Sequence, residues 1–323
     1  MKNIINVLLI LPAVLPVLCS CGGRSQDAVS APRQFPSATV PGVITDRAEA
    51  AEYMAEHFWD EFTDTSSVFA CDSVLVNGVR QGDLEQAFAD YAGILEMVDL
   101  KQAEASVKRL YGRIETFERR DTSTNVFEAV ATLAERYLYD PNSPLRNEDF
   151  YLPLAEGLSE YEGFSEAERA SYAYTARMCS LNRTGQKAAD FEFSDKNGNL
   201  RSLYGIEAEC TLLFFSNPGC EACKSIIMTL ESDPAVDRLI SKRKLAVVNI
   251  YIDEDIASWY SYMPIYPDNW YNGYDPNLII RTDLLYNVRA IPSLYLLDRD
   301  KRVIMKDAPE PRVLSYIASL AAE

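Results

Sequence analysis

The chain has 323 residues, 48% of them hydrophobic and 24% charged, and 31 Lys and Arg against 48 Asp and Glu give a formal net charge of −17. This composition excludes a disordered or fibrous chain, and the length exceeds one ordinary core and suggests two domains after processing. The acidic balance excludes nucleic acid, whose phosphates such a surface would repel, and otherwise describes a well-solvated protein.

Met1 and Lys2 give a positive start, Ile4 to Leu18 an apolar core broken by Pro12 and Pro16, and Leu18-Cys19-Ser20-Cys21 a cleavage-site pattern. The apolar stretch is shorter than the ~20 residues a spanning helix needs, so residues 1–20 are expected to be a secretory signal and not an anchor. The pattern resembles a bacterial lipoprotein signal, in which a small residue precedes a lipid-modified cysteine. Ser20 meets that condition before Cys21, whereas Leu18 is a poor residue before Cys19. The resemblance implies lipidation at Cys21 and a membrane-tethered protein facing the periplasm, with the outer membrane as the expected host. The alternative is an ordinary cleaved signal with incidental cysteines. Residues 21–45 are small, polar and dotted with Pro32, Pro36 and Pro41, and are expected to form a flexible tether.

Residues 46–182 carry helical periodicity. Met54, Phe58 and Phe62 form one stripe, and Leu84, Phe88, Tyr91, Leu95 and Val98 another. Val107, Leu110 and Ile114 continue the pattern, as do Val126, Val130, Leu133 and Tyr137. Ser165 and Glu168 form a capping-box signature before a last helix. Five to seven antiparallel helices are expected. His57, the one histidine, reads as a helix-surface residue.

Residues 183–323 change texture: short β-type runs (191–193, 211–215, 245–252, 294–297 and 303–305) alternate with helical patterns. Asp298 to Lys301 is a hairpin turn, and residues 312–321 form a closing amphipathic helix. The order implies a mixed central sheet with helices on both faces. Asp253-Glu254-Asp255 reads as a solvated strand end and helix cap. The polar, aromatic stretch 268–275 reads as a loop, its aromatics (with Trp259) packing on their own domain or forming a rim that receives a peptide.

The run Thr211 to Phe215, a short turn and then Cys220-Glu221-Ala222-Cys223 opening a helical pattern deliver two thiols to a helix N-terminus. The free amides and positive dipole end there stabilise a thiolate on Cys220, which can attack a disulfide. Cys223, one turn on, can resolve the mixed intermediate. A zinc half-site would need two more ligands in a chain with one histidine, so no metal is expected. A structural short-loop disulfide remains an alternative. Cys71, Cys179 and Cys210 are scattered, and spacing does not pair them.

From Gly185 onward the chain resembles a thioredoxin-fold domain of the TlpA-like kind. The resemblance rests on Ala189-Asp190-Phe191, Leu212 to Cys223 and Ala290-Ile291-Pro292-Ser293-Leu294-Tyr295, in that order. The whole chain resembles Bacteroidota envelope lipoproteins that join an α-helical domain of unknown function to such a domain. Residues 137–144 and Asn147-Glu148 carry the likeness in the helical part.

The resemblance implies Cys220 as nucleophile, Cys223 as resolving thiol, and a cis bond before Pro292 that leaves the Ile291 backbone free to bind a substrate strand. A trans edge-strand proline is the other reading of Pro292. Two departures stand out. The turn Ser216-Asn217-Pro218-Gly219 lacks the aromatic residue that such domains usually place shortly before the first cysteine, and Phe214 stands where they commonly bury an aspartate. Glu221, between the thiols, is a candidate modulator whose charge opposes a thiolate and favours a reducing couple. The expected function is a reductase-leaning thiol–disulfide oxidoreductase, with a redox-active Cys220–Cys223 disulfide and no other cofactor. Its expected partners are protein thiols and disulfides and a membrane or periplasmic electron donor. The alternative is a non-catalytic binding or scaffold lipoprotein whose helical domain engages a partner.

Overall fold

Helix α1 (Arg47–His57) begins where the Asp46 carboxylate turns back onto the amides of Ala48 and Glu49. The structure, a computed structural model, describes residues 31–322. The expected signal 1–20, Cys21 and the first part of the tether lie outside the described residues. After α1 a two-stranded hairpin, β1 (Leu75–Val76) and β2 (Val79–Arg80), turns through Asn77 and Gly78, both at positive φ. Helices α2 (Gln81–Leu95), α3 (Leu100–Arg120) and α4 (Val126–Ala134) follow, and α4 widens into a π turn at Glu135–Tyr139. The series ends with α5 (Glu148–Glu160) and α6 (Glu166–Cys179). The Ser165–Glu168 capping box opens α6, and Asp99 with Gln102 opens α3 in the same way.

The predicted stripes are the buried ones. Phe58, Phe62, Leu84, Phe88, Tyr91, Leu95, Val107, Leu110 and Ile114 belong to one core. Within it, Ser106 Oγ donates to the Ala55 carbonyl at 2.5 Å and lies 2.7 Å from the Tyr91 hydroxyl, so neither buried hydroxyl is left without a partner.

The tether ends sooner than residue 45. The Arg33 amide donates to the Gly78 carbonyl at 2.9 Å. Phe35 packs among Phe58, Trp59 and Phe62, with ring centroids 5.5, 5.4 and 5.3 Å away. One aromatic ring gains enough by burial to fix a segment whose other residues look like linker.

The second half builds a seven-stranded sheet in the order β4-β3-β7-β6-β5-β8-β9. Its elements are β3 (Glu192–Ser194), β4 (Leu200–Ser202), β5 (Cys210–Phe215), α7 (Glu221–Ser232), α8 (Pro234–Ser241) and β6 (Leu245–Tyr251). Then come α9 (Ile256–Tyr262), β7 (Tyr271–Tyr274), α10 (Ile279–Thr282), β8 (Ser293–Asp298), β9 (Val303–Met305) and α11 (Glu310–Ala322). Strand β5 is parallel to β6 and antiparallel to β8, with all six residues registered on both sides. Its alternation divides two cores. Cys210, Leu212 and Phe214 face the side covered by α7, α8 and α11, while Leu213 and Phe215 face Phe191, Tyr286 and Tyr295.

The stretch 268–275 departs from the loop reading. Tyr271–Tyr274 is a strand parallel to β6, and Trp259 and Trp270 are buried, so these two do not form an exposed rim. The Phe193 ring occupies the space a Cβ on residue 273 would need, which is why a glycine interrupts this strand.

The helical core draws on residues up to Cys179, the sheet cores on residues from Ala188 onward, and from Pro32 the described chain is one compact unit.

Candidate active site

Strand β5 ends at Phe215, and residues 216–219 turn the chain, with Gly219 at φ 75°, a region that favours glycine. Cys220 is the N-cap of α7, and its sulfur accepts from the Cys223 amide at 3.1 Å. A cysteine takes the place usually held by Ser, Thr or Asp, so the cap contact falls on the sulfur. Cys220 and Cys223 form a disulfide with Cα atoms 5.2 Å apart. Cys220 is half-buried, whereas Cys223 is 1% exposed and packs with Ile226, Ile227 and Leu230. Glu221, the first residue of α7, points into solvent.

Register brings the second wall to the thiols. Ser293 pairs with Phe215, so the residues just before β8 lie beside the turn that carries Cys220. The Ile291–Pro292 peptide is cis, and the Ile291 carbonyl oxygen is 4.0 Å from Cys220 Sγ. The structure thus places Cys220, Cys223, Ile291 and Pro292 together, with Glu221 at the solvent edge.

Two features of this site escaped the sequence reading. The Asn217 amide donates to Asp253 at 2.5 Å, and Asp253 also pairs with Arg281, so this acid anchors the active-site turn in addition to ending a strand. Asp255 does cap α9, accepting from the Ser258 amide. Beneath the turn, Ser216 Oγ donates to Asn249 at 2.5 Å, and Asn249 donates to Asn272 at 3.1 Å. Phe214, where an acid was sought, is fully buried. The only signal for the Ser216 pair was a lone Asn within the apolar run of β6.

The other described thiols are placed for packing. Burial pushes the Cys179 and Cys210 thiols up to about 12, so they stay protonated. His57 Nδ1 lies 2.8 Å from Asp60, within a surface ion cluster that includes Arg113.

A family model described as a domain of unknown function (DUF5106) matches residues 20–182. Among solved structures, a thioredoxin-like protein from Bacteroides caccae is 34% identical, covers 89% of this chain and 99% of its own, and superposes at a TM-score of 0.75. The C-terminal domain of an uncharacterized protein from Bacteroides fragilis is 42% identical over 42% of this chain and 98% of its own, at a TM-score of 0.41. No curated protein matches the chain. A Cys-x-x-Cys disulfide at the helix end of a thioredoxin-like fold supports thiol–disulfide redox chemistry. The chain belongs to the DUF5106 family and, along most of its length, to the thioredoxin-like proteins.

Proposed function

We propose that the protein is a lipid-anchored, periplasm-facing thiol–disulfide oxidoreductase of the TlpA-like kind that reduces disulfides in other proteins. The observation that carries this reading is the unequal placement of the two sulfurs. Cys220 caps α7 at the surface, 4.0 Å from the Ile291 carbonyl, while Cys223 is 1% exposed behind it.

The order of steps follows. In the reduced protein the Cys220 thiolate, stabilised by the α7 amides, attacks one sulfur of a substrate disulfide. A mixed disulfide forms, and the first substrate sulfur leaves as a thiolate that takes a proton from solvent. The Cys223 thiolate then attacks Cys220 Sγ, closing the Cys220–Cys223 bond and releasing the second substrate sulfur. The substrate gains two electrons and two protons, and an envelope electron donor returns two electrons to the pair. Ile291, held by the cis peptide to Pro292, offers its backbone to the substrate strand. Glu221 places a negative charge beside the nucleophile, which disfavours the thiolate and makes the couple more reducing. Cys21, in the lipoprotein-like sequence Leu18-Cys19-Ser20-Cys21, is the proposed anchor, with the outer membrane as its host.

Equilibration of the pair against glutathione or dithiothreitol buffers tests the direction of transfer. A potential near about −270 mV or lower supports a reductant, and one near about −120 mV contradicts it.

A further inference from the structure

The first turn of α5, in the helical region, meets the sheet region directly behind the cis proline. Glu148 Oε1 lies 2.7 Å from Arg289 Nε, and Oε2 lies 2.8 Å from Lys306 Nζ, as ion pairs rather than aligned hydrogen bonds. The Asn287 amide donates to the same Glu148 at 2.7 Å. Arg289 reaches on to Asp307 at 3.1 Å, and Asp307 accepts from Ser293 Oγ at 2.7 Å. Arg146, also in the helical region, donates to the Asp307 and Ala308 carbonyls at 2.9 and 3.1 Å. The Arg289 guanidinium lies 4.2 Å above the Tyr139 ring.

These contacts bracket the active-site loop. Arg289 stands two residues before Ile291, and Ser293 directly follows Pro292. Glu148 and Lys306 have side chains 1% and 2% exposed. Burying ions carries a desolvation cost that apolar packing of the same volume would avoid, so their retention calls for a gain in geometry. Glu148 sits in the first turn of a 13-residue helix, where a negative charge is favoured. One carboxylate on a rigid element thus holds the upstream flank of the loop through Arg289, and the downstream flank through Lys306, Asp307 and Ser293.

We propose that Glu148 is a positioning residue for the Ile291–Pro292 loop. Through it, the helical region sets the backbone geometry with which the sheet region receives a protein disulfide. The inference rests on the oxidoreductase reading above. It gives the helical region a part in exchange without any contact to the reacting sulfurs. Small disulfides, which need no strand-like pairing with Ile291, do not depend on it.

The test is Glu148→Gln in the full chain, which keeps the side chain's size and an acceptor for Asn287 but removes both ion pairs. The kcat/KM for insulin disulfide reduction is expected to fall about 10-fold, with oxidised glutathione turned over within about twofold of the unaltered rate. Hydrogen exchange should quicken across residues 287–295 and stay unchanged across 221–232. Insulin reduction within about twofold of the unaltered protein, or equal loss with both substrates, overturns the proposal.

Should Glu148→Gln fail to fold, Asn287→Ala removes one bond to Glu148 and no charge, and a smaller loss with the same selectivity is expected. If neither variant folds, Glu148 serves stability alone and the proposal is wrong. If the unaltered protein reduces neither substrate, the oxidoreductase reading fails instead. Hydrogen exchange then decides the positioning claim: faster exchange over 287–295 upholds it, and unchanged exchange overturns it.

Discussion

Asp307 offers a direct probe of the charges buried behind the cis-proline strand. Its carboxyl is pushed up from 3.8 to about 6, first by burial and then by the charge of Glu148, against the pull of Arg289 and Arg146. The folded value lies above the unfolded one, so the native protein holds this proton more tightly than the unfolded chain. The stability it contributes is therefore complete below about pH 4 and is lost as pH rises through about 6. A displacement of about 2 units amounts to ~3 kcal/mol. Asp307→Asn has no such proton, so its unfolding free energy minus that of the unaltered protein isolates the effect. The difference is expected to move by about 2.5 kcal/mol in favour of the variant between about pH 4 and pH 7.5, the remainder falling below about pH 4. Urea unfolding followed by circular dichroism at both pH values measures it. A difference flat to within about 0.5 kcal/mol would refute the reasoning, because Asp307 would then titrate alike in both states.

Three further outcomes are expected. Glu221→Gln should speed alkylation of reduced Cys220 about two- to fivefold by removing a negative charge beside the thiolate, and a slower reaction would reverse the assigned role. Phe35→Ala should destabilise the helical region by about 2–3 kcal/mol, below the usual cost for a fully buried ring because Phe35 is partly exposed, and should open residues 32–46 to protease; unchanged stability would mean the segment is not docked. Iodoacetamide at mildly alkaline pH should leave Cys179 and Cys210 unlabelled in the native protein, since burial holds both thiols near 12, and rapid labelling of either would contradict their placement in the cores.

What could be read from the sequence follows the range of the interactions involved. Period-2 and helical patterns are local, so β5, α7, the hairpin at Asp298 and the Ser165 cap were legible. The nearness of Pro292 to the thiols was implied by resemblance, and the structure accounts for it through the Ser293–Phe215 register. Strand β7 was not legible: Asn272 and Gly273 look like loop residues until Phe193 is seen to need the missing Cβ. Phe35 was hidden among linker-type residues, because only its three ring partners show that it is bound. The charged cluster was the least visible. Glu148 and Asn287 are 139 residues apart and Arg146 and Asp307 are 161 apart, and each alone reads as an ordinary surface residue.

The central claim, that Cys220 exchanges disulfides with other proteins and Cys223 resolves the intermediate, is tested most directly by trapping. The full chain carrying Cys223→Ser, expressed in an envelope and displayed on non-reducing gels, is predicted to accumulate thiol-sensitive adducts. Mass spectrometry should map these adducts to Cys220, and they should vanish when Cys220→Ser is added. The absence of adducts, together with no dithiol-dependent insulin reduction by the intact pair, would contradict the account.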